Sequence, residues 1–448
     1  MINDAISPLD GRYFEKTRAL EPYFSELALM KYRTMVECEY LIALSALGKT
    51  ALRKFSPSET KTIREIYEKF DDASYKKIKV LEETTNHDVK AVEYFIKDAL
   101  AKTALKDCVE WVHFAITSED TNNIAYALIL SASLEKVIVP EIKIILGEIN
   151  GLAKGHKDLP MLARTHGQSA SPTTFGKEMK VFASRIEKQL EYLVAVKIRA
   201  KLNGATGNYN AHFVAYPRID WLAFSKNFIH DLCLEPNLIS TQIECHDNYV
   251  AIFDTLRRIN TILIDFSQDM WRYISDGWII QKPKAGETGS STMPHKINPI
   301  DFENSEGNLG LANALFEFFA RKLPVSRLQR DLSDSTVERT FGAAFGHSYL
   351  AYVMLLKGLR KIEINETKIK QDLMAHPEVI AEAIQTVLRR EGVEMPYEKL
   401  KELTRGKAVT MDDLSRFIDS LKVTDKVKAE LKAITPLNYT GLASKLAS

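Results

Sequence analysis

The sequence has few cysteines, and those it has stand far apart. Its 448 residues contain four of them, at Cys38, Cys108, Cys233 and Cys245, and no two form a C-x-x-C pair. Zinc sites and disulfide frameworks both depend on closely spaced, repeated cysteines. The spacing therefore argues against either arrangement and favours a reducing compartment.

An excess of one charge and long apolar runs are also lacking. Lysine and arginine (60) balance aspartate and glutamate (59), so the formal net charge is +1 and no overall field attracts nucleic acid or an anionic membrane. No apolar stretch approaches the roughly 18 residues that a membrane span requires. The opening segment MINDAISPLDGRY has no apolar run typical of a signal peptide. We expect a cytoplasmic protein whose partners include neither nucleic acid nor membrane.

Helical periodicity is the main pattern that is present. Apolar residues recur every three or four positions over 175–196 and over 249–274, and a third stripe covers about 309–323. Stripes this long indicate a bundle of long helices, and strand-like alternation is scarce, so the predicted fold class is mainly α. The bundle lies in the middle one of three predicted helical domains, which cover 1–107, 108–364 and 365–448.

Four polar clusters lie at predicted helix ends or joints. TTNHDVKAVEYF predicts an N-cap at Thr85 or Asn86, with His87 and Asp88 in the first turn. VHFAITSEDTNN has a threonine–serine pair followed by acids, and ARTHGQ sets a histidine beside a glycine. SRLQRDLSDSTVER carries three arginines around a serine-rich turn. Each cluster has a structural explanation as well as a functional one.

For the last cluster, the structural explanation is a capping box in which Ser335 pairs with Glu338, beside arginines that pair with Asp331 and Asp334 on a solvated surface. The functional explanation is a phosphate or carboxylate site, which uses basic residues together with a capped helix start. His166, taken singly, is better explained as a turn residue than as a functional one. These alternatives stay open on residue patterns alone.

The segment GETGSSTMPHKINP, at 286–299, is rich in glycine, proline and hydroxyl groups and is predicted to be a loop. It lacks the spacing of a phosphate-binding P-loop and the G-x-S-x-G of a hydrolase elbow. Its prolines restrict the backbone around Lys296, whereas its glycines let the preceding part hinge. A mobile lid that delivers a base fits this layout better than a plain linker does.

The same segment resembles a known family. GSSTMPHKINP matches G-S-S-x-M-P-x-K-x-N-P, the signature of the fumarase/aspartase superfamily of fumarate-forming lyases. His295, after the proline, is similar to the adenylosuccinate lyase branch in its bacterial form. Agreement with that branch extends across nearly the whole chain, through SPLDGRY, TTNHDVKAVEYF, TSED, RTHGQ, GNYNAH, TQIE, DFENSEGNLG, LPVSRLQRDLSDSTVER and MPYEKLKELTRG. Cys245 is a departure, since proline is expected there.

The resemblance implies an assembly and two reactions. The assembly is a homotetramer with a central helical core, in which each active site draws on three chains. The reactions release fumarate from adenylosuccinate, giving AMP, and from the succinylated imidazole-carboxamide ribotide SAICAR, giving AICAR. The resemblance implies no cofactor and no metal.

It also implies the catalytic residues, with Ser290 as the general base and His166 as the general acid. Removal of a proton next to a carboxylate builds up negative charge, so cations and hydrogen-bond donors are needed there, and Lys296 and Asn298 fit that need. A serine base needs donors that stabilise its alkoxide. Histidine suits protonation of the leaving nitrogen.

The substrate-binding residues follow from the same resemblance. Arginines and hydroxyls near the chain start and at 330–339 would hold the phosphate, and Thr117 and Ser118 a succinyl carboxylate. Gln242 would bind the base or the succinyl part, and His87 the carboxamide or phosphate end. Besides Lys296 and Asn298, the full set is Arg12, Tyr13, Asn86, His87, Asp88, Thr117, Ser118, Gln242, Ser291, Ile297, Asn304, Arg330, Ser335, Thr336 and Arg339.

Two alternatives to this function are considered. The chain could act on another substrate, as argininosuccinate lyase, fumarase or aspartase does, although DGRY and the arginine–serine cluster favour a phosphate-bearing nucleotide. It could also be a structural protein derived from such a lyase. The intact set of Ser290, His166, Lys296 and Asn298 argues against that second alternative.

Overall fold

The computed structural model describes residues 4–283, 286, 292–293, 295–404 and 409–448. Helices predominate among them, which confirms the predicted mainly α fold class. The α-helices are α1 (Phe14–Thr17), α2 (Glu21–Phe24), α3 (Glu26–Leu47), α4 (Pro57–Glu68), α5 (Asp72–Thr85), α6 (Asp88–Leu100), α7 (Ser118–Ser133), α8 (Val139–Gly155), α9 (Phe175–Ala195), α10 (Asn210–Ala215), α11 (Trp221–Asp231), α12 (Asp247–Ser275), α13 (Ile300–Lys322), α14 (Ser333–Glu338), α15 (Phe341–Leu359), α16 (Glu366–Met374), α17 (Ala381–Arg390), α18 (Pro396–Thr404), α19 (Met411–Ser420), α20 (Asp425–Lys432) and α21 (Ala443–Leu446).

The three apolar stripes of the sequence form the helices α9, α12 and α13, which have 21, 29 and 23 residues. Shorter helical turns accompany the α-helices. The 3-10 helices are Arg18–Leu20, Lys106–Trp111 and Pro377–Ile380. A π-helix covers Leu134–Ile138.

Short strands pair in three places. The pairs are β1 (Pro160–Thr165) with β2 (Gln168–Thr174), antiparallel; β3 (Arg199–Ala200) with β4 (Glu235–Pro236), parallel; and β5 (Ile279–Gln281) with β6 (Ile362–Ile364), antiparallel. The β1–β2 hairpin was not predicted. Its strands are short, and its register shifts between Met161 and Ala163, which breaks the period-two pattern that identifies a strand.

The chain divides into two compact units, and each is built from three stretches. Unit 1 comprises Met1–Ile142, Gln189–Thr261 and Gly307–Val353, and unit 2 comprises Lys143–Lys188, Ile262–Glu306 and Met354–Ser448. The division into three domains at 107 and 364 stays a prediction.

The core of unit 1 contains a cluster of aromatic rings around Phe253. The Phe253 ring centroid lies 5.6 Å from that of Phe316, 5.5 Å from Phe319 and 5.2 Å from Phe341. All four side chains are buried. Paired rings of this kind stabilise a core beyond the area that they bury.

Unit 2 has its own core between long helices. Phe182 of α9 and Phe266 of α12 pack edge to face, with centroids 5.3 Å apart. At Gly176, a Cβ would lie 2.3 Å from the carbonyl oxygen of Ala153, so only glycine lets the start of α9 approach the end of α8. The buried Trp278 donates a hydrogen bond to Asp372 over 2.8 Å.

Replacement of Phe253 tests the core of unit 1. Phe253→Ala would leave a cavity at the centre of the ring cluster, so we expect the free energy of unfolding to fall by about 3–5 kcal/mol. Urea unfolding followed by circular dichroism measures the change. The control is Phe213→Ala, because Phe213 also belongs to unit 1 but is 60% exposed. Equal losses in the two variants would contradict the placement of Phe253 at the centre of the core.

Candidate active site

Within unit 1, the NHD segment joins two helices. Helix α5 continues through Thr85, and Asn86 ends it in the left-handed conformation with a φ of 49°. His87 is the N-cap of α6, and its Nδ1 accepts a hydrogen bond from the backbone N–H of Lys90 at 3.2 Å. The predicted N-cap at Thr85 or Asn86 is therefore wrong, because those two residues terminate the preceding helix. Asp88 is the first residue of α6, as the macrodipole favours.

Asp88 links two arginines. Its Oδ2 lies 2.8 Å from Nη1 of Arg33 and 2.6 Å from Nη2 of Arg339. Arg33 is fully buried, whereas Arg339 is partly exposed. Burial alone would raise the pKa of Asp88, but the two guanidinium groups lower it to about 2. Asp88 thus stays ionised and fixes the direction of Arg339.

The start of α7 is anchored by buried acids. The backbone N–H of Thr117 donates to Oδ2 of Asp120 at 2.9 Å, and α7 begins at Ser118, as the threonine–serine pair suggested. Asp120 is fully buried and pairs with Nζ of Lys201 at 2.8 Å. Backbone N–H groups at the amino end of α7 are well suited to bind a carboxylate or phosphate.

Arg330 contacts three different parts of unit 1. Its Nη2 lies 2.9 Å from Oε2 of the buried Glu119, and its Nε lies 3.2 Å from Oδ2 of Asp334. Its Nη1 donates to Oε1 of Gln242 over 3.4 Å. The side chain is only 13% exposed, so this arginine does not lie on the solvated surface that the structural explanation assumed.

The sequence reasoning missed a buried contact between a histidine and a glutamate next to Arg330. Nε2 of His246 lies 3.1 Å from Oε1 of Glu338, and both side chains are 1% exposed. The predicted capping box of Ser335 and Glu338 is wrong, because α14 begins at Ser333 and Glu338 points into the interior. The only sequence signal was the mixture of acids and histidine in ECHD, which lacked a visible partner.

Burial and the charge of Glu338 raise the pKa of Glu119 to about 8, although Arg330 opposes this shift. Burial would lower the pKa of His246, but the hydrogen bond and charge of Glu338 raise it. The pKa values of Glu119 and His246 therefore both depend on the charge of Glu338.

The remaining predicted residues of unit 1 are spread around this region. Arg12 is exposed, with its guanidinium carbon 5.6 Å from the centroid of the Tyr13 ring. Ser335 and Thr336 lie within α14. A cavity of about 480 Å³ is lined by Asp10, Arg18, Phe24, Arg339 and Thr340, among others. The structure thus brings Asp88 to Arg339 and Gln242 to Arg330.

His113 is largely buried in unit 1. Its Nδ1 lies 2.7 Å from Oε1 of Glu37, which also accepts a hydrogen bond from the Thr121 hydroxyl at 2.6 Å. Burial would lower the pKa of His113, but Glu37 raises it.

In unit 2, His166 lies at the tip of the β1–β2 hairpin. His166 and Gly167 have φ values of 52° and 74°, as the favoured two-residue hairpin turns require. The side chain of His166 is exposed. Further along β2, the Ser169 hydroxyl lies 3.3 Å from Nδ1 of His376, and Ser171 donates to Glu382. The hairpin is thus attached to the C-terminal part of the chain.

The signature segment of the sequence also belongs to unit 2. Ser290 and Ser291 lie outside the described residues. Lys296 is exposed, and the carbonyl of Ile297 accepts a hydrogen bond from Nε2 of Gln281 at 2.8 Å. Asn298 and Asn304 are half-buried, before and within α13.

Two kinds of feature are absent from the described part of the chain. No group of three or more histidine, cysteine or acidic side chains there is arranged to hold a metal ion. None of the helices described is long and apolar enough to span a membrane. All four cysteines are free thiols.

The pH dependence of stability tests the role of Asp88. Its folded-state pKa is depressed, so its contribution to stability is present above about pH 4 and is lost as the pH falls towards 2. Asp88→Asn should lower the free energy of unfolding at pH 6 by about 2 kcal/mol. This gap in unfolding free energy between the variant and the wild type should narrow between pH 4 and pH 3.

Urea titrations at each pH measure that gap. Asp98→Asn is the matched control, since Asp98 lies on the same helix and is exposed. A gap that is constant over the whole range would contradict the assigned ionisation of Asp88.

Comparisons with known proteins agree with this architecture. A family model described as Lyase matches residues 11–313, and one described as Adenylosuccinate lyase C-terminal matches residues 326–440. Adenylosuccinate lyase of Legionella pneumophila (strain Corby) is 51% identical over 99% of this chain and 98% of its own length. The corresponding values are 51%, 99% and 98% for the Vibrio cholerae enzyme, and 50%, 98% and 97% for that of Escherichia coli K12.

Solved structures resemble the fold. The 3-carboxy-cis,cis-muconate lactonizing enzyme of Pseudomonas putida has a TM-score of 0.76 at 18% identity, with 96% of this chain and 95% of that chain covered. A fumarate lyase of Mesorhizobium sp. BNC1 has a TM-score of 0.75 at 17% identity, with 97% and 96% covered. At this level of identity the likeness concerns the fold alone.

Proposed function

This chain belongs to the adenylosuccinate lyase family, and we propose on that premise that it releases fumarate from adenylosuccinate, giving AMP, and from SAICAR, giving AICAR. Both reactions are steps of purine nucleotide biosynthesis, and we propose that they take place in the cytoplasm. The observation that carries the proposal is the identity of about half of all positions over nearly the full length of the relatives.

The charges of unit 1 support an anionic substrate. Carboxylates hold part of the donors of the arginines near the proposed site: Asp88 holds Arg33 and Arg339, and Glu119 holds Arg330. Arg330 and Arg339 each keep part of their surface accessible. Guanidinium groups fixed in this way can bind phosphate or carboxylate in a set orientation. Arg12, Tyr13, Ser335 and Thr336 would add further contacts to the phosphate.

The elimination requires a base and an acid. The Ser290 alkoxide removes a proton from the carbon next to a succinyl carboxylate, the C–N bond breaks, and its electrons leave with the nitrogen as the C=C bond of fumarate forms. His166 gives a proton to the departing nitrogen. Lys296 and Asn298 stabilise the charge that grows on the carboxylate.

The other predicted residues bind and orient the substrate. Thr117 and Ser118, at the amino end of α7, hold a succinyl carboxylate. Gln242 binds the base or succinyl part, and Asn304 contacts the substrate from α13. The loop segment with Ser291 and Ile297 closes over the reacting arm. Asn86 and His87 face the carboxamide or phosphate end.

We propose that the active form is a homotetramer whose sites combine residues of three chains. The long helices leave large apolar side chains exposed, including Tyr192 of α9, Trp271 of α12 and Phe318 of α13. Apolar surface of this kind on long helices suits association with copies of the same chain.

Two substitutions test the catalytic roles. Ser290→Ala and His166→Ala should each lower kcat by about 10²–10⁴-fold, because each removes a proton-transfer group, while substrate affinity changes by less than about tenfold. Fumarate formation from adenylosuccinate measures the rates. His230→Ala, at an exposed histidine far along the chain from the signature segments, is the control. A near-normal rate in either test variant would remove that residue from the mechanism.

Substrate choice is tested in the same assay. We expect the wild-type protein to form fumarate from adenylosuccinate and from SAICAR. Turnover of argininosuccinate alone would place the chain in another branch of the superfamily and overturn the proposal.

Mixing the two inactive variants tests the shared site. If Ser290 and His166 of one site come from different chains, random reassociation should restore about a quarter of the wild-type rate, because each residue of a site is intact with a probability of about one half. Subunits exchanged in mild denaturant and then assayed provide the measurement. Absence of any recovery after proven exchange would contradict the shared site.

A further inference from the structure

Two segments of unit 1 are bridged twice next to the proposed substrate site. The first segment contributes Gln242 and His246, and the second contributes Arg330 and Glu338. Gln242 accepts a hydrogen bond from Arg330 at 3.4 Å, and His246 lies 3.1 Å from Glu338. Neither the Glu338 nor the His246 side chain has a direct contact with solvent, since both are 1% exposed. The contact between His246 and Glu338 is therefore unavailable to a ligand, whereas the contact between Gln242 and Arg330 is close to the surface.

Without a positive charge on His246, the negative charges of this region outnumber the positive ones. The carboxyl groups of Glu119, Asp334 and Glu338 face a single guanidinium, that of Arg330. Glu119 and Asp334 contact it at 2.9 and 3.2 Å. With Glu119 protonated near neutral pH, as its raised pKa of about 8 implies, the carboxylates of Asp334 and Glu338 still outnumber that guanidinium. Buried carboxylates without a partner are costly, so an uncompensated Glu338 would compete for Arg330.

His246 is held rigidly in position to supply the missing charge. Its backbone N–H donates to Oε2 of Glu244 at 2.8 Å, and Glu244 also accepts hydrogen bonds from Asn237 at 3.0 Å and Asn248 at 3.3 Å. These hydrogen bonds fix the backbone at His246, and the ring packs beside that of Tyr249, with the centroids 5.4 Å apart. Burial would lower the pKa of His246, but the hydrogen bond and the charge of Glu338 raise it.

We propose that His246 is a positioning residue for Arg330: it neutralises Glu338 and so leaves the Arg330 guanidinium directed at Glu119, Gln242 and the anionic end of the substrate. The inference rests on the proposed role of Arg330 in substrate binding. It assigns His246 no contact with the substrate. Its effect is on affinity for the anion rather than on proton transfer.

The test compares AMP binding, by isothermal titration calorimetry, among full-length variants. His246→Asn should bind AMP about tenfold more weakly, a typical size for coupling within a buried charge network. The double variant His246→Asn/Glu338→Gln removes both charges and should recover the wild-type affinity to within about threefold. Glu338→Gln alone should also stay within that limit, because it removes the competing carboxylate. His230→Asn, at an exposed histidine of the same unit, is the matched control.

Steady-state kinetics and thermal unfolding separate positioning from a purely structural effect. We expect His246→Asn to raise KM for adenylosuccinate by a similar factor while kcat at saturation stays near the wild-type value. A variant that melts earlier but binds AMP normally would overturn the inference, and so would a double variant that binds no better than the single one.

Arg330→Ala separates the proposed role of Arg330 in substrate binding from the inference about His246. Loss of AMP affinity in Arg330→Ala together with unchanged affinity in His246→Asn would overturn this inference alone. Unchanged AMP affinity in Arg330→Ala would overturn the proposed role of Arg330 in substrate binding and the inference with it.

Discussion

The buried contact between Arg330 and Glu119 is the one on which the candidate site depends. A carboxylate that is fully removed from water is costly unless a cation and hydrogen bonds compensate it, and Arg330 provides that cation at 2.9 Å. The two residues are far apart in the chain. The pair can therefore form only when the start of α7 is packed against the segment that leads into α14. In unit 1, this contact therefore exists only in the folded chain.

The same principle explains how the neighbouring residues are oriented. Asp88 stays ionised between Arg33 and Arg339, and Asp120 stays paired with Lys201, so each buried charge has a partner before any ligand arrives. Groups that are already oriented need little reorganisation when an anion binds. The cost is the desolvation of a dense set of buried charges.

Sequence reasoning succeeded where the signal was local. The apolar stripes became α9, α12 and α13, and the threonine–serine pair became the start of α7. It failed where neighbouring elements compete for the same residues: Thr85 and Asn86 end α5 instead of beginning α6. It also failed at Glu338, whose spacing from Ser335 fits a capping box but whose side chain pairs with His246 in the interior.

Helix positions, fold class and family follow from the sequence, because apolar periodicity and the signature segment are read from residues that are close along the chain. The contacts of Asp88 with Arg339 and of Gln242 with Arg330 depend on the folded molecule. The same is true of the inclusion of Arg33 and His246. The reason is energetic: a charged side chain is acceptable in the interior only beside a specific partner, and that partner is chosen by packing rather than by distance along the chain.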